Sequence, residues 1–227
     1  MSYVINPAPQ PSVEVRGTQG RFPVRRIFCV GRNYAAHARE MGNDDREPPF
    51  FFTKPADAVV PNGSVVPYAP RTANFHHEAE LVVALGGGGT NVPAATANSL
   101  VYGYAVGIDL TRRDLQTDAR DHGRPWDTSK GFDRSAPIGA IRPVSAGGIL
   151  ENARIWLSVN GKIRQDANIA EMTWKVPEII AELSTLFEIA AGDLIYTGTP
   201  AGVGPLVRGD SVEASIEGLD PLSVRIV

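Results

Sequence analysis

The chain has 227 residues, 43% of them hydrophobic, with a formal net charge of -3. That is enough for a sizeable core and too acidic for the broad basic face that nucleic-acid binding needs. The single Cys29 forbids an internal disulfide, the N-terminus lacks a charged-then-apolar signal, and no run of 18 apolar residues could span a bilayer. The expectation is a soluble, cytoplasmic protein working on small molecules, with neither nucleic acid nor membrane as a partner.

Residues 1–20 carry Pro7, Pro9 and Pro11 without periodicity and read as an extended N-terminal arm, followed by one domain over 21–227. Residues 26–30 read as a strand and 34–41 as a short helix stopped by Gly42, with a movable polar loop at 43–47 before Pro48 and Pro49. Phe50–Lys54, 78–85 and 102–108 read as strands, the second so uniformly apolar from Leu81 to Leu85 that it should be buried on both faces. Gly86 to Gly89 read as a hairpin turn, because no Lys-Ser or Lys-Thr follows to make a phosphate cradle. Thr111 and Asp114 have the spacing of a capping box opening a helix to about Arg120. A strand at 155–159 turned by Asn160-Gly161, a helix at 176–187, and strands at 194–197, Ser211–Ile216 and Leu222–Ile226 complete a β-rich chain decorated with helices.

Glu78 and Glu80 stand one residue apart at the head of a strand, so both carboxylates share a face. Asp109 follows another apolar strand, and together the three would make an all-oxygen set suited to a hard divalent cation. Carboxylates about 4 Å apart repel by roughly 4 kcal/mol per pair at an effective dielectric near 20, which a doubly charged ion more than offsets. Spacing alone leaves a second reading open, in which the glutamates are solvated strand-end residues and Asp109 is a helix cap. His77 and Glu78 do not form a zinc-protease helix, since position 81 is Leu and not His. His37 and Glu40, three apart in the expected helix, are either a base with its orienting carboxylate or a surface pair. Lys54 and Lys130 could meet a carboxylate or an oxyanion, although each taken alone reads as a surface lysine.

Taken in order, Gly31-Arg32-Asn33-Tyr34 with His37 and Glu40, Phe52-Thr53-Lys54-Pro55, His77 to Leu81, Gly107 to Thr111 with Arg113 and Gln116, and Thr197 to Gly204 resemble the fumarylacetoacetate hydrolase family from about residue 26 onward. The resemblance implies a mixed, β-rich α+β fold, a β-roll or pseudo-barrel with peripheral helices, usually a homodimer. It implies Mg²⁺ or Mn²⁺ on Glu78, Glu80 and Asp109, a water-activating His37–Glu40 dyad on a lid, and Lys130 near the reacting oxygens. It assigns Arg113, Gln116 and Thr199 to the 2-oxo acid end of the substrate. Arg32, Arg39, Arg112, Arg124 and Lys54 are the candidates for a second substrate carboxylate. Within the family, the length and the Gly-Arg-Asn-Tyr opening resemble the short acylpyruvate hydrolases, which cleave a carbon–carbon bond, and in particular those acting on fumarylpyruvate in gentisate breakdown. Oxaloacetate decarboxylation, isomerisation of an unsaturated 2-oxo diacid, and a metal-stabilised binding protein are the alternatives.

Overall fold

The computed structural model describes residues 3–34 and 48–227. The expected helix at 34–41 and loop at 43–47 therefore lie outside the described residues, apart from Tyr34, which bridges to Met172. A six-stranded sheet runs in the order Arg142–Pro143, Val101–Ile108, Ala79–Leu85, Asp193–Tyr196, Arg26–Gly31, Phe50–Lys54. Neighbours are antiparallel except Asp193–Tyr196 with Arg26–Gly31, which are parallel. Ala79–Leu85 is buried along its whole length, which is why its apolar run is unbroken.

Alternation along that strand feeds two cores. Ala79, Leu81, Val83 and Leu85 join the larger one, between this sheet and a five-stranded sheet ordered Lys162–Asn168, Arg154–Val159, Ser211–Ile216, Leu222–Ile226, Ser64–Val66. Helix Val176–Leu186 adds Val176, Ile179, Ile180 and Leu183, whose spacing by threes and fours makes one apolar stripe. Its start is fixed by Pro177 in the first turn and by Glu178, whose carboxylate accepts from Lys175 N at 2.8 Å. Each fully buried Leu or Ile here contributes roughly 1.5–3 kcal/mol.

Val82, Ala84, Ala105, Ile27, Cys29, Leu194 and Tyr196 form the smaller core on the other face. It is covered by the paired strands Ser12–Glu14 and Arg21–Pro23, which bring in Val13, Val15, Phe22 and Val24. The second half of the segment expected to be an arm is therefore the first strand and turn of a hairpin laid on the sheet. Residues 3–10 ahead of it are exposed.

The molecule has the expected sheet-rich α+β roll, and its sheets do not close into a barrel among the described residues. Two local expectations need correction. Thr111 does not cap a helix: Thr111–Arg112 pairs with Phe75 and His76, and helix Arg113–Asp121 begins without a side-chain cap. Gly86 to Gly89 are not a tight turn, because residues up to Leu100 intervene before the next strand and a Cβ at Gly88 would stand 2.0 Å from the Ile189 carbonyl oxygen. That glycine exists for close packing against the Ile189 backbone. No helix among the described residues is long and apolar enough to cross a membrane.

Candidate active site

Strands Val101–Ile108, Asp193–Tyr196 and Arg26–Gly31 all end, and Ala79–Leu85 and Phe50–Lys54 begin, at one edge of the six-stranded sheet. Residues just beyond those ends are free of ladder constraints and close enough to converge. Glu78 precedes one strand, Asp109 follows its neighbour, and Asp109 N donates to Glu78 O at 2.8 Å, which fixes the two relative to each other. Glu80, one step inside the strand, turns to the same face as Val82 and Ala84. The outcome is a buried trio, Glu78, Glu80 and Asp109, whose ligand-capable atoms lie within 4.8 Å of one another. Of the two readings that spacing left open, the solvated strand end is overturned, because Glu78 is 5% and Glu80 2% exposed.

Cations meet two of the three acids. Lys130, at the end of helix Asp127–Lys130, donates to Glu78 Oε2 at 2.7 Å, Asp109 Oδ2 at 2.6 Å and Thr111 Oγ1 at 2.7 Å. Lys54 stands 2.8 Å from Asp109 Oδ1 and bonds the Leu110 and Lys130 carbonyls. Neither lysine is a surface residue: Lys54 and Lys130 are each 2% exposed. Arg113 donates to Glu78 Oε1 and to Gln116 Oε1. Burial would raise the Glu78 pKa, but the Lys130 ammonium and the Arg113 guanidinium outweigh it and hold that carboxyl well below the ordinary range.

Glu80 has no such cationic partner among the described residues. Among the described residues its carboxylate accepts one hydrogen bond, from Gly198 N to Oε2 at 2.8 Å, and burial, then the Asp109 and Glu78 charges, push its carboxyl well up. Asp109 Oδ1 accepts no aligned hydrogen bond although Lys54 is near. A buried, hard-oxygen set with one uncompensated carboxyl and one under-satisfied oxygen fits a divalent cation.

The second sheet holds this edge in place. Gln165, fully buried, accepts from Ala79 N at 2.9 Å and contacts His77 Nδ1 at 3.2 Å, while its amide donates to Thr199 Oγ1 at 2.8 Å and Pro200 O at 2.9 Å. Asn33 bonds Trp174 through both its amide groups and donates to Thr197 O at 2.8 Å. Gly198 has φ +96°, and a Cβ there would stand 2.8 Å from Asn33 Cβ, so only glycine lets this loop present its N–H to Glu80. His76 accepts from Arg113 Nε at 3.4 Å and meets Asn74 Oδ1 at 2.8 Å; burial and the Arg113 charge bring its pKa down to about 4, so a neutral ring braces the guanidinium.

A cavity at this edge is lined by Val30, Gly31, Arg32, Phe52, the three acids, Arg113, Gln116, Trp126, Lys130 and Thr199. Of the expected residues, Arg32, Glu78, Glu80, Asp109, Arg113, Gln116, Lys130 and Thr199 converge here; His37, Arg39 and Glu40 lie outside the described residues, and Lys54, Arg112 and Arg124, the other candidates for a second carboxylate, do not line the cavity. Gln165, Asn33 and His76 were not expected; of the two readings open for Lys54, it meets a carboxylate, that of Asp109, and is not at the surface. Asn33 alone carried a signal, as part of the Gly-Arg-Asn-Tyr run.

Comparison with known proteins identifies a family and relatives of the same fold. The family described as fumarylacetoacetate (FAA) hydrolase C-terminal matches residues 26–227. A fumarylpyruvate hydrolase from Ralstonia sp is 47% identical over 180 residues, 79% of this chain and 93% of that protein. The mitochondrial oxaloacetate tautomerase of Homo sapiens is 40% identical over 202 residues, 89% and 91% of the two chains. The crystal structure of fumarylpyruvate hydrolase from Pseudomonas aeruginosa, in complex with Mn²⁺ and pyruvate, superposes with a TM-score of 0.97 at 51% identity, covering 100% of this chain and 99% of that one.

Proposed function

The chain belongs to the fumarylacetoacetate hydrolase family, and from that premise we propose that it hydrolyses acylpyruvates, fumarylpyruvate foremost, to a carboxylic acid and pyruvate. It is a hydrolase acting on carbon–carbon bonds. The observation that carries the finer reading is the buried carboxylate trio, with Glu80 lacking a cationic partner among the described residues, opening into a cavity that also presents Arg113, Gln116, Thr199 and Lys130. A relative with the same fold binds Mn²⁺ and pyruvate.

In this reading Glu78, Glu80 and Asp109 hold Mg²⁺ or Mn²⁺, which supplies Lewis-acid stabilisation for negative charge developing on the 2-oxo acid half. Arg113, Gln116 and Thr199 bind and orient that half, with Arg113 kept in place by His76 and Glu78. His37, oriented by Glu40, takes a proton from water, whose oxygen bonds to the distal acyl carbon. The bond from that carbon to the adjacent methylene breaks, the acyl group leaves as a carboxylate, and pyruvate departs as its enolate and gains a proton at carbon. The Lys130 ammonium, buried beside the acids, offsets the growing negative charge.

Residues 21–227 are the catalytic domain, working as a homodimer in aromatic (gentisate) breakdown; all three statements rest on the family resemblance. Oxaloacetate chemistry is the second reading, favoured by the 40% identical tautomerase.

Purified protein with Mn²⁺ or Mg²⁺ should be tested on acetylpyruvate, fumarylpyruvate, maleylpyruvate, fumarylacetoacetate and oxaloacetate, ranking kcat/KM. Fumarylpyruvate is expected to rank first, and Glu78→Ala and Glu80→Ala to lose both bound metal and turnover. Oxaloacetate ranking first, or a metal-free variant with full activity, would overturn the reading.

A further inference from the structure

A seven-carbon acylpyruvate such as fumarylpyruvate carries a carboxylate at each end, and the cations already described serve the trio end. Arg113 is bound to Glu78, and Lys54 and Lys130 are bound among the acids. Of the other basic residues considered, Arg124 pairs with Asp118 at 3.1 Å, and Arg112 donates to Thr128 O at 2.9 Å and lies 4.4 Å over the Phe132 ring. Arg39 lies outside the described residues.

Arg32 differs from all of these. It lines the cavity, yet among the described residues it has no ion pair or hydrogen bond, and its Nε is buried without a partner. A guanidinium in that position costs free energy until an anion meets its fork of donors. Its backbone is also held in the left-handed region, at φ 58°, which a non-glycine residue adopts only where its surroundings enforce it. The enforcement is visible on both sides. Asn33 is clamped by three hydrogen bonds, and Gly31 lacks the Cβ that would stand 2.1 Å from the Phe50 ring.

A chain of aromatic contacts links Arg32 to Lys130, and two of its rings, Trp126 and Phe52, form a wall of the cavity. The Arg32 guanidinium carbon is 5.5 Å from the Phe50 centroid. Phe50 meets Trp126 edge-on at 5.1 Å, Trp126 meets Phe52 at 5.6 Å, and the Lys130 ammonium is 5.2 Å from the Phe52 centroid. Such a wall favours a flat, conjugated chain over a kinked one, because ring faces and edges make dispersion contacts along its length.

We infer that Arg32 is the specificity-determining residue that receives the distal carboxylate of a dianionic acylpyruvate, whose planar acyl chain lies along Trp126 and Phe52. The inference rests on the acylpyruvate reading and deepens it. A bidentate guanidinium–carboxylate pair is both strong and geometrically selective, so the site should discriminate between acids of equal length with and without the second carboxylate.

The test has a binding arm and a kinetic arm. By calorimetry on the Mn²⁺-loaded protein, 2-oxoheptanedioate should bind at least about tenfold more tightly than 2-oxoheptanoate, as charge-assisted hydrogen bonds imply. Arg32→Gln should bring the two within about threefold, and Arg32→Lys, which keeps the charge but not the fork, should fall between. In kinetics, Arg32→Gln should lose about 10- to 100-fold more kcat/KM on fumarylpyruvate than on acetylpyruvate. No preference for the diacid in the unmodified protein, an outcome that needs no variant to fold, would overturn the inference, as would an Arg32→Gln protein that keeps that preference. Arg32-dependent diacid binding without turnover of any acylpyruvate would instead sink the proposed function and leave this inference standing.

Discussion

Gln165 takes four polar partners from two different segments, Ala79 N and His77 on the strand that carries the glutamates, and Thr199 and Pro200 on the loop that faces them. It can do so because of a β-bulge. Leu157 pairs with Gln165 while the next residue, Ser158, pairs with Ile163, so Arg164 is left over and the alternation of the strand reverses. Gln165 then points inward from a stretch, Lys162–Asn168, that is otherwise mostly exposed. Bulges have no signature in the residues of a polar strand, which is why this side chain could not be picked out, whereas Glu78 and Glu80 could: acids at the head of an apolar run contradict their surroundings. Gln165→Leu keeps the volume and deletes every bond. With Ala79 N and Thr199 Oγ1 left buried, the expected cost is about 2–4 kcal/mol, read as a lower urea midpoint at unchanged slope. The loosened loop also carries the Gly198 N–H, so metal affinity should drop alongside. Full stability together with unaltered metal binding would show that the two segments hold their places without it.

Helix Arg113–Asp121 matters because its first turn carries Arg113 and Gln116 into the cavity, and Asp114 is what ties that turn down. The Asp114 carboxylate accepts from Thr72 Oγ1 at 2.5 Å and from the backbone N–H groups of Ala73 and Leu115, each at 2.9 Å. Burial would raise its pKa, but these hydrogen bonds outweigh it and hold the group below the ordinary aspartate value. A carboxyl depressed in the folded state adds stability above its unfolded pKa of about 3.9 and loses it as pH falls through the lower folded value. Asp114→Asn should accordingly be less stable than the parent at neutral pH and converge with it as the pH drops below about 4. A stability gap that stays constant from pH 7 to pH 3 would refute that assignment. At this scale the long elements were legible, since Ala79–Leu85 and Val101–Ile108 are apolar runs buried almost throughout and Val176–Leu186 buries one apolar stripe. The rim of the site was not, because Phe75–His77, Thr111–Arg112 and Gly204–Leu206 are two or three residues long and exist only by pairing with one another. Strands that short are created by tertiary contact, so no local pattern announces them.

The whole molecule is organised by the six-stranded sheet, whose two faces bury separate cores and whose edge assembles the site. The larger core has a five-stranded sheet over it. The smaller depends on the hairpin Ser12–Glu14 with Arg21–Pro23, anchored by Arg16 N donating to Ile141 O at 2.9 Å and by Gln10 donating to Val24 O at 2.7 Å. Composition read this stretch as a proline-rich arm because its apolar residues, Val13, Val15, Phe22 and Val24, are interrupted by a six-residue polar turn. A cover for the chain's own core and a strap for a partner subunit make different predictions. Burying each of those four side chains is worth at most about 1.5–3 kcal/mol, a sum comparable with the 5–15 kcal/mol that separates a typical folded domain from its unfolded state. Deleting residues 1–8, which are exposed wherever they are described, should leave thermal stability unchanged. Deleting residues 1–24 should lower it sharply and expose Ile27, Cys29 and Leu194 to solvent, seen as dye binding and as reactivity of the otherwise buried Cys29 thiol. If the longer deletion instead changes only the mass measured by light scattering, with stability and thiol protection intact, the segment serves assembly and not the fold of its own chain.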